Sequence, residues 1–144
     1  MDIFTTMITP YRADGAVDLD TVDAYVGWYF ENGLDGIFAV CQSSEIFYLS
    51  LEERVALNAR VYERAKHLER ESGKRFTVVS SGHVGDTVEE QIRELNAIWQ
   101  SGTDCLILIT NRLDTASTCR CSARRALTSP RPRSSPRTTP SSHA

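Results

Sequence analysis

Residues 36–41, Gly-Ile-Phe-Ala-Val-Cys, form an unbroken apolar run of strand length. A strand without a polar face must be covered on both sides, as in the centre of a parallel sheet. Three more segments have strand character: 3–9 (IFTTMIT), 76–81 (FTVVSS) and 105–110 (CLILIT). Each interval between them carries a helical pattern. The first helix is predicted to start at Asp18, whose carboxylate can accept from the free N–H groups of the first turn. It sets Val22, Tyr25, Val26 and Tyr29 on one face and ends at Gly33. The second opens on Ser50-Leu51-Glu52-Glu53, a capping box, and runs to about Glu71 before Gly73. Its inner side draws on Val55, Leu57, Val61, Ala65 and Leu68. The third follows Asp86-Thr87-Val88-Glu89, read as a second capping box, and sets Val88, Ile92, Leu95 and Ile98/Trp99 on one face. The order is βαβαβαβ, an α/β protein with helices on the faces of a parallel sheet.

Gly33-Leu34-Asp35-Gly36 and Gly102-Thr103-Asp104-Cys105 both lead into strands, which suggests a repeated unit. A doubly wound sheet and part of an eightfold βα barrel both fit, and periodicity does not separate them.

The alternation stops near Asp114, and so does the composition. Residues 1–114 hold ten basic and nineteen acidic side chains, a net of −9, whereas residues 115–144 hold six arginines and no acid. The second segment is rich in Ser, Thr, Arg and Pro, and Leu127 is its one large aliphatic residue. Such a sequence cannot bury enough surface to offset chain entropy and is expected to be disordered. It reads as a basic arm, as an inert tail, or as an out-of-frame translation. The abrupt end of the pattern favours the last. Nucleic acid ranks last among partners, because the body is acidic.

No apolar run approaches the ~18 residues of a membrane span, and Met1 to Pro10 lack the pattern of a secretory signal. A cytoplasmic protein is expected, with no membrane partner. The four cysteines are too few for a disulfide scaffold, and Cys119-x-Cys121 lacks a second ligand pair at zinc spacing. Without G-x-G-x-x-G or a P-loop, no cofactor and no metal are expected.

In either architecture, chemistry belongs at the carboxyl ends of the strands. That selects Thr9, Cys41 to Glu45, Ser81 to His83 and Thr110 to Arg112. Gln42-Ser43-Ser44-Glu45 is the most suggestive, since two adjacent hydroxyls and loop N–H groups can hold a small carboxylate. The commoner role for such a tetrapeptide is a polar loop with self-bonding serines. His83 follows a strand without a sequence partner and is expected to be solvated. Cys41 and Cys105 are expected to pack as small apolar groups.

The segment TPYRADGAVDLDTVDAYVGWYFENGLDGIFAVCQSSEIFYLSLEER resembles the opening of the dihydrodipicolinate synthase / N-acetylneuraminate lyase family. Thr9-Pro10-Tyr11, Asp14-Gly15, Asp18, Gly33 to Gly36, Glu45, Leu49-Ser50 and Glu53-Arg54 match its pattern, and the similarity runs from about residue 3 to residue 114. The resemblance implies the N-terminal half of a (β/α)8 TIM barrel over 1–114, tetramers or another homo-oligomer, and Schiff-base (class I) lyase or aldolase chemistry on pyruvate or a related 2-oxo acid. It implies that Ser43 stands where a threonine holds the substrate carboxylate and relays protons, so Ser43 is the expected catalytic residue. Gln42 stands on the first threonine of that relay, without its hydroxyl, and Ser44 on a glycine. Gln42, Ser43 and Ser44 are the expected substrate-binding set. The family's tyrosine after strand four would fall near Asn111-Arg112. Its Schiff-base lysine belongs on strand six. The two lysines here, Lys66 and Lys74, lie in a helix and at the far end of the sheet, so this chain is expected to be a truncated, inactive member. The alternative is a non-catalytic half-barrel that self-associates.

Overall fold

A computed structural model of the chain describes residues 2–109. Four strands, β1 (Phe4–Thr6), β2 (Gly36–Phe38), β3 (Thr77–Ser80) and β4 (Cys105–Leu106), alternate with three helices, α1 (Leu19–Glu31), α2 (Leu51–Ser72) and α3 (Val88–Gln100). All strand pairs are parallel, in the spatial order β1-β2-β3-β4. A doubly wound sheet reverses its strand order at a switch point. This sheet advances in one direction only, which is the winding of a βα barrel. The expected Thr110, the Asn111-Arg112 position and the tail 115–144 lie outside the described residues.

The strands are shorter than their apolar runs. In the run 36–41 only Gly36–Phe38 pairs on both sides; Ala39, Val40 and Cys41 continue as buried, irregular chain towards the loop. Ile37 sits opposite Thr5 on one side and Val78 on the other. The core joins Met7, Ile37 and Val78 of the sheet side to Val22 and Val26 of α1 and Leu57, Val61 and Ala65 of α2.

The repeated glycine-x-aspartate unit fastens each strand start to its neighbour. The Asp35 carboxylate accepts the Ile3 amide at 2.9 Å, and the Asp104 carboxylate accepts the Val78 amide at 2.8 Å. Gly33 (φ 84°) and Gly102 (φ 105°) supply the left-handed turn that brings the chain back to each strand.

The predicted N-caps of the first two helices and the C-cap of the second hold, whereas the C-cap of α1 is Asn32, one residue before the expected Gly33. Asp18 accepts from the Asp20 and Thr21 amides, Ser50 and Glu53 form the capping box, and Gly73 takes the left-handed C-cap of α2. The third cap is shifted by one residue: Thr87, not Asp86, caps α3, with Glu90 as its reciprocal partner. Asp86 sits outside the helix, because Thr87 has the extended backbone an N-cap needs.

The predicted inner face of α3 is also corrected. Val88, Ile92 and Trp99 are exposed; Ile98 is buried as expected, but the buried side also carries Gln91 and Glu94. The polar pair meets partners beneath the helix. Gln91 donates to the Gly85 carbonyl, and Glu94 reaches Arg54 and the Val84 and Gly85 amides. Cys105, expected to pack, is exposed, whereas Cys41 is buried as expected.

Candidate functional site

Three chain ends meet at the carboxyl edge of the sheet: the segment after β1, the loop after β2, and the segment after β4. The loop after β2 makes one 3-10 turn, Gln42–Ser44, and Glu45 follows with φ 59°, left-handed for a non-glycine residue. Such a conformation costs about 1 kcal/mol or more and persists where the surroundings fix it. Ser44 and Thr9 do the fixing. The Ser44 hydroxyl lies 2.7 Å from the Met7 carbonyl and 2.9 Å from the Ala39 carbonyl, and it takes the Cys41 amide at 3.3 Å. Thr9 donates to the Ser44 carbonyl at 2.7 Å. The turn is therefore sewn to the end of β1.

That geometry separates the three residues expected to bind substrate. Ser44 is completely buried, and its hydroxyl is engaged by backbone. The Ser44 side chain finds room here because it points into the seam between the chain after β1 and the chain after β2. Gln42 and Ser43 point the other way. Both are exposed, and no hydrogen bond among the described residues engages the Ser43 hydroxyl or the Gln42 amide. Together with Thr6, Phe38, Cys41, Ile107 and Ile109 they line an open cavity of about 170 Å³. The pocket thus has an apolar floor from β2 and the end of β4, and a polar rim from the 3-10 turn.

Tyr11, beside this loop, has its phenol pushed up, first by burial and then by the hydrogen bond and charge of Glu45. The two lysines are elsewhere. The Lys66 ammonium lies 2.8 Å from Asp104 and 2.7 Å from Glu69, and Lys74 donates to the Leu34 carbonyl at 3.1 Å. Leu34 and Asp104 precede their strands, so both ammonium groups sit at the amino edge of the sheet. Among the described residues no group of three or more His, Cys, Asp or Glu side chains is placed to hold a metal ion.

Sequence reasoning missed the polar support under the loop after β3. Arg54 and Glu94 form an ion pair at 2.9 Å, with side chains only 4% and 7% exposed. Arg54 also donates to the Gly82 and Ser50 carbonyls, and Glu94 accepts the Val84 and Gly85 amides at 2.7 and 2.9 Å. Burial pushes the Glu94 carboxyl up, but the Gly85 amide, Arg54 and the Val84 amide outweigh it and leave it below the ordinary range. Asn58, also buried, donates to the Gly102 carbonyl and the Ser101 hydroxyl and accepts from Ser80, tying α2 to β3 and the end of α3. A signal existed: Arg54 and Asn58 share the i, i+4 stripe of Val61 and Ala65. His83, expected to be solvated, is completely buried and takes the Ile109 amide on Nε2 at 3.1 Å.

A family model described as the dihydrodipicolinate synthetase family matches residues 1–111. The chain belongs to that family. It is 34% identical over 83 residues to the 4-hydroxy-tetrahydrodipicolinate synthase of Neisseria gonorrhoeae, covering 58% of this chain and 26% of that one. It is 31% identical over 104 residues to the synthase of Alcanivorax borkumensis, covering 72% of this chain and 33% of that one. Among solved family structures, the dihydrodipicolinate synthase of Bacillus clausii is 29% identical with a TM-score of 0.61, covering 73% of this chain and 33% of that one. The Acinetobacter baumannii enzyme, solved with pyruvate, is 25% identical with a TM-score of 0.63 over the same shares of the two chains. The chain therefore spans about a quarter to a third of the length of these relatives, and what it shares with them is the N-terminal portion of the barrel. No helix among the described residues is long and apolar enough to cross a membrane.

Proposed function

We propose that residues 1–114 supply the carboxylate-recognition side of a 2-oxo-acid lyase or aldolase site, acting on pyruvate or a close analogue in the cytoplasm. The observation that carries this reading is the exposed, unengaged Ser43 hydroxyl on the rim of the cavity at the carboxyl edge of the sheet. A hydroxyl and the free N–H groups of a tight turn can hold a carboxylate without a buried counter-charge. Gln42 adds a side-chain amide to the same rim. Ser44 holds the turn in place and is assigned no contact with substrate. Family membership and the pyruvate bound by the Acinetobacter relative agree with this ligand class.

Class I chemistry needs a lysine amine to attack the ketone and form an iminium, which then accepts the electrons of the cleaved or formed carbon–carbon bond. Lys66 and Lys74 are held at the other edge by carboxylates or a carbonyl. We assign this polypeptide binding without Schiff-base formation. The test is incubation of the full chain with pyruvate and sodium borohydride, followed by intact mass. No added mass is expected. An adduct mapped to either lysine overturns the assignment.

A second reading rests on the sheet edges. β1 and β4 have no further strand partner among the described residues, and Ile3, Phe4, Ile8, Ile107 and Leu108 beside them are exposed. Unpaired edges favour pairing with another chain. Under this reading the chain self-associates, and sedimentation equilibrium would return a mass above 16.1 kDa. A monomer with a sharp cooperative melt would dismiss it.

A further inference from the structure

His83 has no part in the carboxylate site, yet it is completely buried behind it. Its Nε2 lies 3.1 Å from the Ile109 amide nitrogen and accepts that N–H. Ile109 lines the same cavity as Ser43. With Nε2 accepting, the ring proton sits on Nδ1, a buried atom with no hydrogen-bond partner. A buried donor left without a partner is costly, so this tautomer persists because Nε2 is needed as an acceptor.

We propose that His83 is a positioning residue that fastens the segment after β4, which lines the pocket, to the loop after β3, and that it does so only as neutral imidazole. An imidazolium has a proton on both nitrogens and no lone pair for the Ile109 amide. It can turn to the Ile109 carbonyl, 3.4 Å from Nε2, but the amide is then left without an acceptor. The loop end of the fastening is itself rigid, since Glu94 holds the Val84 and Gly85 amides and Arg54 holds the Gly82 carbonyl. The charged groups bearing on His83 among the described residues are Glu94 of α3 and, through its ion pair, Arg54 of α2. Burial is the largest influence on the ring and favours the neutral form; the Ile109 backbone and the Glu94 charge oppose it without reversing it. The pocket wall is thus held near neutral pH and released in acid, whatever ligand the pocket takes.

The test is amide hydrogen exchange of Ile109 in the full chain, without ligand, read by NMR as protection relative to the intrinsic rate between about pH 5 and pH 8, a window that brackets ordinary imidazole titration. Protection of Ile109 should fall about five- to tenfold, the loss of one net amide hydrogen bond, through a midpoint below 6.5, while the Val61 and Val78 amides keep theirs. His83→Gln offers an amide oxygen that does not titrate, so the step should vanish. His83→Phe should leave Ile109 poorly protected throughout. Constant Ile109 protection while the imidazole titrates would overturn the proposal. So would the same step in His83→Gln, or a uniform fall of all three amides in the unaltered chain. Because no ligand is added, a failure to bind pyruvate would count against the carboxylate site and leave this test standing.

Discussion

The guanidinium of Arg54 and the carboxylate of Glu94 meet at 2.9 Å, forty residues apart in sequence, with both side chains more than nine-tenths buried. Removing one partner leaves the other charged in a dry site and is strongly destabilising, whereas removing both is often mild. Arg54→Met or Glu94→Leu alone should cost about 3–5 kcal/mol in urea unfolding. The double variant should cost less than either single one. Additive losses would show that the pair is not a coupled unit.

Gly36 makes a sharper packing test. A Cβ placed there would come within 2.5 Å of the Thr77 carbonyl oxygen and would meet the Phe4 ring. The backbone carbonyl belongs to the neighbouring strand, so neither side can move without breaking the register. Gly36→Ala should cost about 3 kcal/mol or more, the upper range for overpacking. Gly15, with φ 87° and nothing within 4 Å of a built Cβ, should lose only about 1 kcal/mol on the same change. Thermal melts of the two variants compare the effects directly.

Stability should rise from acid towards neutral pH, for two reasons of the same sign. Glu94 has a folded pKa below its ordinary 4.5, so its contribution is fully present above that value and is lost as pH falls through the folded value. His83 has a folded pKa below its ordinary 6.5, so the unfolded chain binds its proton more readily. That proton opposes folding in acid, and the penalty disappears as pH rises past 6.5. Urea midpoints at a series of pH values should climb through both ranges. His83→Gln should remove the upper climb and keep the lower one.

The two adjacent serines should separate stability from binding. Ser44→Ala removes a buried hydroxyl that two carbonyls and an amide share, and should cost about 1–3 kcal/mol. Ser43→Ala alters an exposed, unengaged hydroxyl and should stay within about 0.5 kcal/mol of the unaltered chain. Denaturant curves with equal slopes for both variants would make the comparison clean.

Much of the frame was readable from residue spacing. The caps at Asp18 and Ser50 and the stop at Gly73 each depend on local chemistry and stand where they were expected, whereas the apolar run at 36–41 yields a strand only over Gly36–Phe38. Spacing alone left the direction of winding open, because βαβ alternation is common to barrels and doubly wound sheets; the family resemblance implied a barrel. The paired order β1-β2-β3-β4 supplied it. The face of α3 was misread for a physical reason. Periodicity identifies an apolar stripe at Val88, Ile92 and Trp99 but not what covers it, and the side turned inward instead carries Gln91 and Glu94 to a loop whose backbone amides need acceptors. In the loop after β2, the resemblance singled out Ser43 but placed Ser44 on the substrate side with it, and the burial of Ser44 against backbone carbonyls was not legible. Which of Ser43 and Ser44 faces the pocket depends on the 3-10 turn and the left-handed Glu45, and a positive φ at a glutamate leaves no mark in the sequence.

The most direct test of the account is titration of the isotope-labelled full chain with pyruvate, followed by amide shifts, with Ser43→Ala measured beside it. Saturable shifts centred on Gln42, Ser43, Ile107 and Ile109 are expected, with affinity about tenfold weaker in Ser43→Ala, the worth of a hydrogen bond to a charged group. Shifts centred away from this cavity, an unchanged affinity in Ser43→Ala, or no shift at any pyruvate concentration would contradict it.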